Sequence, residues 1–181
     1  EQVQLSDEIE ILLNNIEHIK EIIAMQQNLS KIDNIEQVIS LENTLNETLL
    51  ISGISFSKHK ITVKKEFEDV KAVLIDKINL LQILVNLETN AKDALLQSDN
   101  STKILILKLM TKNEKIIVQI IDNGIGIEQK NLTKIFSYGF STKAYGHGFG
   151  LHSSALAAKK MGGTLKAESD GLQKEEQFHW E

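Results

Sequence analysis

Six of the ten glycines in this 181-residue chain fall between Asp122 and Gly150. Five of the six form two clusters with different neighbours, and Gly139 stands between them. Asp122-Asn-Gly124-Ile-Gly126-Ile directly follows a run of strand formers, whereas Gly146-His-Gly148-Phe-Gly150-Leu151 opens a helical pattern. Glycine allows positive φ and a close approach of backbone to a ligand. A helix start offers free N–H groups and the positive end of the dipole to an anion. An Asp closing a buried strand can accept a hydrogen bond from an exocyclic amine, such as adenine presents. Taken alone, the first cluster is also a glycine-rich turn with a capping Asp, and the second points to a nucleotide and no further. Two familiar phosphate motifs fail on spacing. The dinucleotide fingerprint needs a third Gly where Leu151 stands, and a P-loop needs Gly-Lys-Ser/Thr.

Around this stretch, helical and strand patterns are mixed. Residues 5–29 place Leu5, Ile9, Leu12, Ile16, Ile19 and Ile23 on a heptad seam that Leu13 and Ile22 widen, as in a helical bundle. One helix cannot bury such a stripe alone, so partners are expected. Residues 33–51 read as a second helix, with Asp33 and Glu36 as a capping box and Gly53 as its stop. Residues 60–67 and 71–75 read as strands, and Asp76 caps a helix over 77–97. Residues 103–110 and 115–122 are two β-rich runs around a hairpin turn at 111–114. A helix over 151–161 ends at Gly162-Gly163, a strand covers 164–168, and a polar tail follows.

Composition narrows the chemistry. There is no Cys, which excludes disulfides, thiolate metal sites and cysteine nucleophiles. The net charge of −5 argues against a general nucleic-acid binder. All 20 basic residues are Lys. Any anion is therefore held by Lys, backbone N–H groups, polar side chains or a metal, never by a guanidinium fork. Every apolar run is shorter than a membrane span.

The 77–97 helix carries the first chemistry. At about 100° per residue, Leu80, Leu84, Leu87, Ala91, Ala94 and Leu95 share one face. Asn86, Asn90 and Asp93 cluster on its flank, within about 60° of one another. Asn is a poor helix former, so two of them one turn apart invite explanation. Their carbonyl oxygens suit Mg²⁺, a hard cation that takes oxygen ligands. A simple polar surface is the plain alternative. Glu88 and Lys92 point about 160° away from Asn90 and are expected to face solvent.

In this order and spacing, these segments resemble the ATP-binding module of sensor histidine kinases, within the Bergerat-fold group shared with gyrase, Hsp90 and MutL. Asn86 and Asn90 with Ala91 match the N box, and Asp122 to Ile127 the first glycine box. Ile135-Phe136-Ser-Tyr-Gly-Phe140-Ser141-Thr142-Lys143 matches the phenylalanine box, and Gly146 to Leu151 the second glycine box. The likeness covers roughly residues 33–170. Residues 12–27 also resemble the second helix of the kinase dimerisation bundle.

The resemblance implies an α+β fold. It is a two-layer α/β sandwich, a mixed sheet with helices on one face, plus an N-terminal bundle helix. Residues 1–30 would be half of a dimerisation hairpin and residues 31–181 the catalytic domain. It implies ATP and Mg²⁺ as cofactors. Asn90 would ligate the metal, with Asn86 at the phosphates or a water and Asp93 beside them. Asp122 would read the adenine amine while Gly124 and Gly126 pass under the base. Gly146, Gly148, Gly150 and Leu151 would form the lid and the phosphate-facing helix start. Lys143 would contact phosphate and, with Asn86, serve catalysis. Gyrase- and Hsp90-like ATPases carry a Glu where Asn86 stands, so a protein-histidine kinase is favoured over a hydrolase. The implied partners are a response-regulator receiver domain and a second copy of the chain joined through the N-terminal helix. The implied location is cytoplasmic, with any membrane attachment lying outside this stretch.

Two features depart from the pattern. The first helix of the bundle, which carries the acceptor histidine, is not matched, so this chain alone is expected to be inactive in autophosphorylation. His18 reads as a bundle-surface residue. The tail after Gly171 lacks the sequence pattern of the family's closing strand; if that strand is absent, the sheet has an unprotected edge. A frameshift is one explanation, since a codon choice read two bases later restores that pattern. An ATPase clamp of the same fold and a non-catalytic dimerisation module with a degenerate pocket are the competing readings.

Overall fold

The structure, a computed structural model, describes residues 36–143, 146–170 and 176–180, the last as backbone. The helix expected over 5–29, with His18, lies outside the described residues, as do Asp33 and residues 144–145.

The described chain begins with strand β1 (Glu36–Ile39), which pairs antiparallel with β3 (Val73–Asp76). The helix expected from Asp33 therefore starts later, as α1 (Leu41–Lys58). Its cap is Ser40, whose hydroxyl accepts from the N–H of Asn43 at 3.3 Å. The apolar spacing of 35–49 is helical in either register. Pairing with a strand nearly forty residues away decides where the helix begins. Gly53 does not stop it. The helix runs on to Lys58, and Lys60 turns the chain with φ 56°.

Strand β2 (Ile61–Phe67) follows α1, and β3 runs straight into α2 (Lys77–Gln97). Asp76 caps α2 as expected. Its Oδ1 accepts from the Asn79 N–H at 3.0 Å and its Oδ2 from the Asn79 side chain at 2.7 Å. β4 (Lys103–Lys112) and β5 (Lys115–Asp122) form the expected hairpin. Its tip, Asn113-Glu114, has both φ positive, as a two-residue primed turn requires. A short 3₁₀ turn (Gln129–Asn131) leads to α3 (Gly150–Lys160), β6 (Leu165–Ser169) and β7 (Glu176–Trp180).

The main sheet has the order β2-β4-β5-β7-β6, with β2 and β4 parallel and the other pairs antiparallel. The tail thus corrects the expectation of a missing strand. Its own residues supply β7, which sits between β5 and β6 and covers the edge of β5 that would otherwise lie open. Patterning gave little sign of it because the strand is short and three of its five residues, Glu176, Gln177 and His179, are polar.

α2 lies between α1 and α3, and the core forms where it meets the sheet. Leu80, Leu84, Leu87, Ala91 and Leu95 of α2 are buried with Leu105, Leu107 and Leu109 of β4 and Val118 and Ile120 of β5. The expected layered α+β architecture is the one observed. Among the described residues, no helix is long and apolar enough to cross a membrane.

Candidate functional site

α2, the segment after Phe136 and the start of α3 line an open cleft of about 130 Å³. Asn86 and Asn90 form one wall. Lys143, Gly146, Gly148, Gly150 and Leu151 form the other. Three segments scattered over 66 positions in sequence therefore meet in one place.

Each wall has a physical reason for its shape. Asn86 donates through Nδ2 to Ser154 Oγ of α3 at 2.8 Å, a partner absent from the sequence reading. A Cβ on Gly150 would lie 2.4 Å from Asn86 Oδ1, so a larger residue there would displace the Asn86 side chain. Gly148 has φ 71°, and a Cβ there would meet the Phe140 carbonyl oxygen at 2.4 Å. The N–H of Gly139 also donates to the Gly148 carbonyl at 3.2 Å, which ties the phenylalanine box to the second glycine box. α3 begins without a side-chain cap. Its first-turn N–H groups stand at the cleft, an arrangement suited to an anion.

Lys143 reaches back onto α2. Its Nζ lies 2.8 Å from Asn90 Oδ1 and 2.6 Å from Asp93 Oδ2. The Asn90 oxygen expected to hold Mg²⁺, with Asp93 beside it, thus already holds a cation. The set is made of hard oxygen donors and it accepts positive charge, which fits that metal.

Asp122, Gly124 and Gly126 do not line this cleft. They lie beside it, at the next step along α2. Gly124 N–H donates to Asp122 Oδ1 at 2.8 Å, and Ile125 N–H donates to the Ala94 carbonyl at 3.1 Å. Ala94 follows Asp93 directly, so the first glycine box continues the site along the same helix. A Cβ on Gly124 would come 2.5 Å from the Ala94 carbonyl carbon. Asn123 fixes the box to the sheet by accepting from Ile104 N–H at 2.7 Å and donating to Thr102 O at 2.8 Å. Asp122 itself is buried at the end of β5.

Glu88 corrects the sequence reading. It is not solvent-facing but fully buried, and Lys92 is half-buried. The carboxylate receives Thr48 Oγ1 at 2.5 Å and Ser52 Oγ at 2.7 Å, both from α1. Burial pushes its pKa up, and the Ser52 and Thr48 hydroxyls pull it partway back. The helical wheel gave the angle of Glu88 correctly. It could not show that α1 covers that side of α2.

Residues 75–180 match the model of the histidine kinase-, DNA gyrase B- and HSP90-like ATPase family, and the chain belongs to that family. It is 32% identical over 99 residues to the sensor histidine kinase DpiB of Escherichia coli, covering 53% of this chain and 18% of DpiB. It is 33% identical over 98 residues to the sensor protein FixL of Bradyrhizobium diazoefficiens, covering 54% of this chain and 19% of FixL. The matched stretch is thus about a fifth of either relative. The fold is similar to that of the catalytic domain of histidine kinase ThkA, with TM-score 0.71 at 22% identity, over 80% of this chain and 93% of that one. It is also similar to full-length ShkA in complex with AMPPNP, with TM-score 0.77 at 17% identity, over 90% of this chain and 34% of ShkA.

Proposed function

We propose that this chain is the Mg-ATP-binding catalytic domain of a sensor histidine kinase and transfers the γ-phosphoryl group of ATP to a histidine in two-component signalling. The observation that carries the reading is the pairing of Asn86 and Asn90 on the cleft wall, with Lys143 held against Asn90 and Asp93. An ATPase of this group would need an acid to activate water where Asn86 stands. Asp93, on the same flank of α2, is instead engaged by Lys143. The relatives named above, both sensor proteins, support the same reading.

Asp122 would accept the adenine amine, and the glycine-boxed turn would admit the flat base. Asn90, with Asp93 beside it, would hold Mg²⁺, whose charge offsets that of the phosphates. Lys143 and the first-turn N–H groups of α3 would grip the phosphates. Catalysis by these residues is positional and electrostatic: they hold the γ-phosphoryl group in line for an incoming imidazole nitrogen. The acceptor histidine would come from a bundle helix, with a second copy of the chain and a response-regulator domain as partners.

The test is titration of the full chain with a fluorescent ATP analogue, with and without Mg²⁺. Mg²⁺ should tighten binding in the wild type, and Asn90→Ala should abolish that dependence. Unchanged Mg²⁺-dependent binding in Asn90→Ala refutes the assignment. Steady ATP hydrolysis with no phosphohistidine formed on an added acceptor bundle favours the clamp instead.

A further inference from the structure

We propose that Glu88 is a positioning residue for the nucleotide site. By bonding Thr48 and Ser52 of α1, it sets the rotation of α2 and so aims Asn86 and Asn90 into the cleft. This rests on the reading of the cleft given above.

Leu80, Ile83, Leu84, Leu87, Ala91 and Leu95 are the buried apolar face of α2, about 120° wide. Leucine-rich surfaces specify rotation weakly, because similar apolar contacts form in several settings. A buried carboxyl group behaves in the opposite way. It is tolerated only in the setting that brings both of its oxygens to donors. Glu88 meets that condition, with Oε1 at Thr48 and Oε2 at Ser52, on a residue with no exposed surface. On the other flank, Asn86 is tied to Ser154 of α3. The central helix therefore carries one polar tie to each neighbour.

The lever is short. Asn86, Glu88 and Asn90 lie within little more than one turn, with Glu88 about 160° from each asparagine. At a side-chain radius of about 6 Å, a rotation of about 20° moves a side-chain end by about 2 Å. That exceeds the tolerance of a hydrogen bond or a metal contact. An acid in this core is costly to bury, so an apolar replacement need not lower stability. Its benefit would instead appear in binding.

The test uses the full chain, with analogue titrations in Mg²⁺ and thermal melting side by side. E88Q keeps the shape and one acceptor oxygen, and should bind within about threefold of wild type. The triple variant E88L/T48V/S52A removes the tie and its partners together. It should melt at or above the wild-type temperature and bind about tenfold more weakly. S52A alone should bind with an intermediate affinity, and serves where the triple variant does not fold. Wild-type affinity in the folded triple variant overturns the proposal, as does wild-type affinity in S52A where the triple does not fold. An E88Q as weak as the triple overturns it too. The side-chain amide resonances of Asn86 and Asn90 give a readout without nucleotide. They should move in the triple variant and stay in place in E88Q. If the wild-type chain binds no nucleotide, the functional reading fails. Unmoved amide resonances in the triple variant would then overturn the positioning role separately, and shifted ones would support it.

Discussion

Lys143 holds a positive charge at the point where the site needs one. With no Arg in the chain, no guanidinium can take its place. Its ammonium lies against the oxygens of Asn90 and Asp93, part-buried and at short range. Nucleotide phosphates arriving beside it would find the charge already in position. Lys143→Met should weaken analogue binding about tenfold with or without Mg²⁺, as loss of one charge-assisted contact implies. That distinguishes it from Asn90→Ala, whose defect should appear only when Mg²⁺ is present. The same titration checks both variants. Gly124 makes a second prediction at this scale. Any Cβ there meets the backbone of Ala94, which cannot swing aside as a side chain could. Gly124→Ala should cost about 1–3 kcal/mol in a denaturant melt and loosen the first glycine box against α2.

At the scale of the element, α2 decides most of what the site can do. Its beginning was legible locally, because Asp76 and Asn79 are three residues apart and cap the helix by themselves. Its apolar face was legible too, from spacing alone. The role of Glu88 was not, because its partners Thr48 and Ser52 are 40 and 36 residues away. The buried acid also makes stability depend on pH. Its pKa in the fold is raised above the ordinary value of 4.5, so the native state binds the proton more tightly than the unfolded chain does. The contribution from Glu88 is therefore greatest below pH 4.5. It declines as pH rises through the raised value and levels off above it. Replacing Glu88 by Gln should remove that decline, which urea melts of both proteins across this pH range would show. A wild-type and a Gln variant with parallel profiles would contradict it.

At the scale of the whole molecule, the sheet order carries a lesson of its own. β7 comes last in the chain but pairs with both β5 and β6. β6 in turn holds the loop after the first glycine box. Ser169 accepts from Ile127 N–H through Oγ at 3.0 Å, and from the Gln129 side chain through its carbonyl at 2.6 Å. Truncation after residue 170 should therefore detach β6 as well as remove β7. We expect loss of the single cooperative thermal transition, read by circular dichroism, and loss of analogue binding with it. Local residue patterns alone dictated the α2 cap, the β4–β5 hairpin and the two glycine clusters. These depend on neighbours a few positions apart, whose preferences are written in the residues themselves. Only the tertiary structure decided that Glu36–Ile39 is a strand, that α1 starts at Leu41 after Ser40, that Glu88 is buried and that the tail closes the sheet. In each case the deciding partner lies far along the chain. Burial and strand pairing are set by which surfaces meet, and no local pattern records that.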